Sequence, residues 1–146
     1  MLDVDGEMSD PSVRLARRLD EKGMNIALWI LQVVVGGFFV WHMNLLLRPN
    51  PERLRQGMNW VLEMPAGLRI FAGIAEGLAG IALIFAGLIR PVSWLVALAG
   101  AGLVVLMLGA IVFHIPRREY RNIGLNVFLL LLAGFIAYGR WVIEPF

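Results

Sequence analysis

The sequence contains no cysteine. This excludes disulfides, thiolate metal ligands and CxxC dithiol chemistry, and with them the thiol-redox enzymes built on small membrane bundles. Charge is also scarce: 16% of the 146 residues are Asp, Glu, Lys or Arg, where a soluble domain carries about 25%. The high pI of 9.7 reflects a formal net charge of only +2. The basic residues stand at the ends of hydrophobic blocks, where they would meet lipid headgroups, so no nucleic-acid partner is implied. Proline is missing from those blocks as well. All seven prolines fall between or outside them, which spares a backbone ladder that lipid cannot replace. Against these absences stands a hydrophobic content of 59% and a mean hydropathy of +0.73, gathered into uninterrupted runs. Runs of that kind are read as membrane spans.

Taken in order, residues 1–24 are polar and hold ten charged side chains. They form an expected tail, in which Asp10 caps a short amphipathic helix that begins at Pro11 and stops at Gly23. That segment either lies on the headgroups or frays in solvent. Spans are expected over about 25–47, 66–89, 92–115 and 121–142, each close to the ~20 residues that cross ~30 Å of hydrocarbon. Between the first two, Arg48 to Pro65 reads as an interfacial helix opened by Pro51 and lying flat. The expectation is therefore an all-α fold: a membrane four-helix bundle over 25–146, with an amphipathic N-terminal tail and an interfacial helix between spans 1 and 2. The four cations of the tail, Arg14, Arg17, Arg18 and Lys22, favour placing both termini on the cytoplasmic side.

Four spans put the 48–65 segment and the 116–121 turn on one membrane face, and the unusual residues gather toward it. At ~1.5 Å per residue, His42 lies about 7 Å below that face and Glu76 about 15 Å, with Arg69 and His114 near it and Asn122 and Asn126 one and two turns into the last span. Glu76 is the sharpest signal, because a carboxylate facing acyl chains must be protonated or paired and must point into the bundle or a wet cavity. Arg69, Gly73, Glu76, Gly80 and Gly87 share one helical stripe, whose small residues mark a packed face. Glu76 is then either a ligand or proton-exchange group or a neutral interhelical hydrogen bond. Asn126 and Asn122 are interhelical glue or ligand contacts. His42 and His114 hydrogen-bond at the interface or serve a ligand, and as single histidines on separate helices they do not make a metal site. Arg117, Arg118 and Arg121 read as headgroup contacts or as steering groups for an anion. The Gly73-x-x-x-Gly77 spacing serves either intramolecular packing or a homo-oligomer.

From Ala27 onward the chain resembles the DoxX-like family of small four-helix membrane proteins. The resemblance rests on Ala27-Leu28-Trp29-Ile30-Leu31-Gln32, on Arg69-Ile70-Phe71-Ala72-Gly73-Ile74-Ala75-Glu76-Gly77-Leu78-Ala79-Gly80, and on Met107 to His114. Arg117-Arg118-Glu119 with Asn122 and Asn126, and Ala137-Tyr138-Gly139-Arg140, continue it. Where that family's first helix commonly ends in a glycine and a lysine, this chain has Trp41-His42-Met43-Asn44, which removes the basis for a lysine-dependent activity. The resemblance implies a bacterial-type cytoplasmic membrane. Through the family's thiosulfate:quinone oxidoreductase relatives it also implies a link to quinone or oxidative-stress chemistry.

The function expected on these grounds is that of a small membrane subunit that binds a quinone-like or other amphiphilic molecule and supports a membrane or peripheral redox partner. It would act as an accessory subunit of a quinone-linked oxidoreductase. Glu76 would sit at the pocket floor, with His42, His114 and Asn126 supplying hydrogen bonds or protons. The alternative is a structural or assembly factor of a membrane complex, with no catalytic ligand. A transporter fits less well, since four uninterrupted helices leave little room for alternating access.

Overall fold

The computed structural model describes residues 10–54 and 58–146, so the first nine residues of the expected tail, and Arg55 of the expected interfacial helix, lie outside the described residues. Helix α1 runs from Pro11 to Leu47 without interruption. Its start follows the sequence: the Asp10 carboxylate accepts the Ser12 amide at 2.8 Å and the Ser12 hydroxyl at 2.7 Å, and Pro11 occupies the first helical position, where a missing N–H is harmless. Those two bonds, the hydroxyl's first, hold the Asp10 carboxyl below the usual carboxylate range. The expected stop at Gly23 is not observed. Glycine permits a helix end without imposing one, and no proline follows to break the ladder. The 37-residue helix is about 55 Å long, well over the ~30 Å of a hydrocarbon core, so its first turns project beyond the membrane.

After α1 come two short helices, α2 (Pro51–Leu54) and α3 (Trp60–Glu63). This connection does not simply lie flat. Leu54, Trp60 and Val61 are buried and pack with Leu46 into a small cluster that also takes in Met58, Met64 and Phe113, so the segment lids one end of the bundle. Helix α4 (Ala66–Phe85) tightens into 3₁₀ turns over Ala86–Leu88 and Arg90–Val92. Helix α5 (Leu95–His114) and helix α6 (Tyr120–Tyr138) follow, the latter ending in a π turn over Gly139–Ile143. The described residues hold four helices long and apolar enough to cross a membrane, over Pro11–Leu47, Ala66–Leu88, Arg90–His114 and Tyr120–Ile143. Their outer faces carry exposed Ile30, Val34, Phe71, Leu78, Val105, Val112 and Leu131, while Gln32, Glu76, His114 and Arg140 are buried. Polar groups inside and apolar groups outside is the distribution that lipid demands, and the chain is a multi-pass membrane protein.

The bundle is built from two helix pairs, α1 on α4 and α5 on α6. Glycine sets the α1–α4 distance. A Cβ added at Gly80 would stand 2.7 Å from the Gly36 carbonyl oxygen, and one at Gly77 would overlap the Met43 thioether. The Gly73-x-x-x-Gly77 spacing thus serves packing within the chain. On the half of the membrane nearer the termini the two pairs also close on each other. There Gly139 at the end of α6 lies against Leu28 of α1, above a core of Val35, Leu83, Val96, Ala133 and Ile136, and within the α5–α6 pair Gly100 lies against the Ala133 carbonyl. On the other half they separate.

Candidate functional site

Where the pairs part, a cavity of about 470 Å³ opens between them. Its floor is Phe39, Met107 and Leu129, which are buried, and its roof is Met58, Trp60 and Met64 of the lid. Five of the polar residues singled out in the sequence line it: His42 from α1, Glu76 from α4, His114 from α5, and Asn122 and Asn126 from α6. Arg69 does not. Its guanidinium turns to the Val61 carbonyl at 3.4 Å and fastens the lid to α4.

Two of these residues are bonded to each other. His42 Nδ1 and Glu76 Oε2 are 2.6 Å apart, a separation that requires a proton between them. The depths expected for them differed twofold because each span was counted from its own end. Gly73 faces Leu46 and Leu47, so the seven residues from Ala66 to Ala72 extend α4 about 10 Å past the end of α1, which brings Glu76 level with His42. The imidazole also stacks on Phe38, with ring centroids 5.8 Å apart and planes within 8°. Its position in the apolar slot is held from two sides.

Across the cavity a second pair repeats the chemistry. His114 Nδ1 meets Glu119 Oε2, and the same carboxylate oxygen accepts the Asn122 side-chain amide at 3.1 Å. Arg118 makes this possible. Its φ of 56° is left-handed, which for a residue with a Cβ costs roughly 1–2 kcal/mol, and it closes the α5 end with bonds from the Arg118 amide to the Ile115 carbonyl and from the Glu119 amide to the His114 carbonyl. The turn folds Glu119 back over the histidine. Between the two pairs stands Trp60, its ring 6.1 Å from that of His42 and 5.0 Å from that of His114. The Trp60 indole Nε1–H is buried and has no partner among the described residues. A buried donor without an acceptor is worth about 1–3 kcal/mol to whatever satisfies it.

Neither Trp60 nor Glu119 figured among the candidates read from the sequence. Glu119 was visible, five residues past His114 across Pro116, but a helix end had to turn left-handed for the two to meet. The three arginines expected at the headgroups separate. Arg118 and Arg121 are exposed, whereas Arg117 bonds to Glu63 of the lid at 3.2 Å and lies over the Phe113 ring at 4.2 Å, which ties the α5–α6 turn to the roof. Among the described residues no three His, Cys, Asp or Glu are grouped to hold a metal ion.

The opposite half of the bundle holds a polar cluster of a different kind, centred on the buried Arg140 in the π turn. Its Nε donates to Gln32 Oε1 at 2.6 Å, one Nη to Asn25 Oδ1 at 2.8 Å and to the Glu144 carbonyl at 3.2 Å, and Gln32 in turn donates to the Leu83 carbonyl at 3.0 Å. The Phe146 ring covers the guanidinium at 4.1 Å. This cluster joins α1, α4 and the end of α6, so it clasps the closed half.

The sequence profile of the DoxX-like family matches residues 30–136, which covers part or all of each of the four spans together with the lid and the cavity lining. No curated protein and no solved structure matches the chain.

Proposed function

The chain belongs to the DoxX-like family, and on that premise we propose that it binds an amphiphilic, quinone-like molecule between its two helix pairs and supports a redox partner in the membrane. The observation that carries this reading is the convergence, on one mostly apolar cavity, of two proton-holding His–carboxylate pairs and an indole N–H without a partner among the described residues. Its volume falls within the roughly 300–1,000 Å³ of small-molecule sites. Trp41, Leu68, Phe71, Val105 and Leu125 line the cavity and are exposed on the lipid-facing surface, so a molecule dissolved in the bilayer has a lateral way in. A ring with two oxygens suits the interior. One oxygen accepts from Trp60 Nε1, and with each histidine Nδ1 engaged by its carboxylate, Nε2 is the atom left to deliver a proton. Proton handling in a dry slot is what quinone chemistry asks of a protein; the electrons come from the partner. We place the protein in a bacterial-type cytoplasmic membrane with both termini inside, on the charge of the α1 extension.

The test is mass spectrometry of the lipid extracted with the purified protein. A stoichiometric isoprenoid quinone supports the reading. Phospholipid alone, in the proportions of the bulk membrane, favours a structural or assembly factor in which the two pairs are interhelical hydrogen bonds.

A further inference from the structure

The two His–carboxylate pairs differ in their access to water. The Glu76 and His42 side chains are 6% and 15% exposed and both belong to membrane-spanning helices. Glu119 lies between the spans Arg90–His114 and Tyr120–Ile143, and its side chain is 28% exposed, while that of His114 is 3% exposed and lines the cavity. The second pair therefore has one end at the aqueous boundary and the other inside the slot. The left-handed Arg118 and the Asn122 amide both hold the carboxylate on the ring, so the contact is built by the turn and by α6 together. Strain kept at a turn in order to aim one side chain is a mark of function.

We propose that Glu119 and His114 form a proton-exchange route from the aqueous face into the cavity, and that the His42–Glu76 pair exchanges protons only through the cavity. A proton from water adds to the Glu119 carboxylate and passes to His114 Nδ1, which makes the imidazolium and restores the carboxylate. The imidazolium then releases the Nε2 proton to an oxygen in the cavity, of water or of a bound molecule, and is left as the neutral Nδ1–H tautomer. One proton moves and no electron does. The charged and titratable groups around the route are Glu63 and Arg117, which are bonded to each other at the roof, Arg118 and Arg121, which are exposed on the turn and on α6, and the His42–Glu76 pair on the far side of Trp60. The route uses the cavity of the proposed function but not its ligand, so it stands or falls separately from the lipid analysis.

The experiment is nitrogen NMR of the full chain, labelled at histidine and held in lipid nanodiscs, reading exchange of the ring N–H protons with water between about pH 5 and about pH 9. In the parent protein His114 should exchange roughly tenfold or more faster than His42. Glu119→Gln keeps a hydrogen-bonding side chain but removes the titrating acid. It should slow His114 by roughly tenfold while leaving His42 unchanged, and Glu119→Asp should restore part of the rate. Equal exchange at the two histidines of the parent overturns the proposal without any variant. So does a Glu119→Gln protein in which His114 exchanges as before.

Discussion

Replacing Gly80 by alanine should loosen the α1–α4 seam even though alanine is the better helix former. The added Cβ would stand 2.7 Å from the Gly36 carbonyl oxygen, 3.1 Å from Val40 Cγ2 and 3.2 Å from the Val40 amide nitrogen. Ordinary contact begins at 3.4 Å, so the backbones must part by 3.4 − 2.7 = 0.7 Å, and neither of the two backbone atoms can swing aside as a flexible side chain would. Overpacking of this kind costs about 1–3 kcal/mol, from which the gain of about 0.5–1 kcal/mol for replacing a helical glycine must be subtracted. The net expectation is a loss centred on about 1 kcal/mol, within a range of roughly 0–2.5 kcal/mol. Gly37 is the control: it is the neighbour of Gly36 in the same helix, and a Cβ there meets nothing within 4 Å. Gly37→Ala should keep or raise stability. Unfolding in mixed detergent micelles, followed by far-UV circular dichroism, measures both. If Gly80→Ala is as stable as the parent, or Gly37→Ala loses as much, helix contact at glycine does not set this seam.

At Glu76, glutamine keeps the hydrogen bond to His42 and should leave detergent stability within about 1 kcal/mol of the parent, since interhelical hydrogen bonds average ~0.6 kcal/mol. Ligand retention should fall all the same, and Glu76→Leu should lower both; a Gln variant that retains ligand like the parent would make Glu76 interhelical glue. Arg140→Leu should destabilise the closed half by about 1.5–3 kcal/mol in the same unfolding assay, because Gln32 and Asn25 lose a charged partner, while leaving the cavity's ligand content per folded protein unchanged. The Asp10 carboxyl is held below its usual range in the folded helix, so its cap is fully present at neutral pH and is lost as pH falls through the lowered value. The protection of the Ser12 to Arg14 amides against hydrogen exchange, relative to their intrinsic rates, should therefore fall at acid pH, and in Asp10→Ala it should be low at every pH.

The spans were legible because lipid leaves little choice: apolar runs without proline, bounded by arginine and proline, fix where the helices cross. Most of the site was legible for the same reason, since a Glu, two His and two Asn have few places to go in a bilayer except inward. What could not be read is relational. The stagger of α1 against α4, which levels Glu76 with His42, follows from which glycine meets which side chain. The roof depends on Trp60 and Val61 turning onto the bundle, although the segment's composition also suits a helix on the headgroups. Glu119 reaches His114 only because Arg118 adopts a conformation that its residue type disfavours. The bond from Arg140 to Gln32 could not be read either, because the π turn that holds Arg140 has no sequence signature of its own.

If a quinone-like molecule occupies the cavity between the helix pairs, the quinone content of the purified protein must differ between an open and a filled cavity. Ala110 lines the cavity without belonging to either His–carboxylate pair, so Ala110→Trp fills the space and leaves the hydrogen bonds in place. The parent and the Gly37→Ala control should each carry roughly one isoprenoid quinone per chain, as a single site of this volume allows, and Ala110→Trp should carry only its share of the bulk lipid. A parent with no quinone above that share, or a folded Ala110→Trp protein that keeps it, would contradict the account.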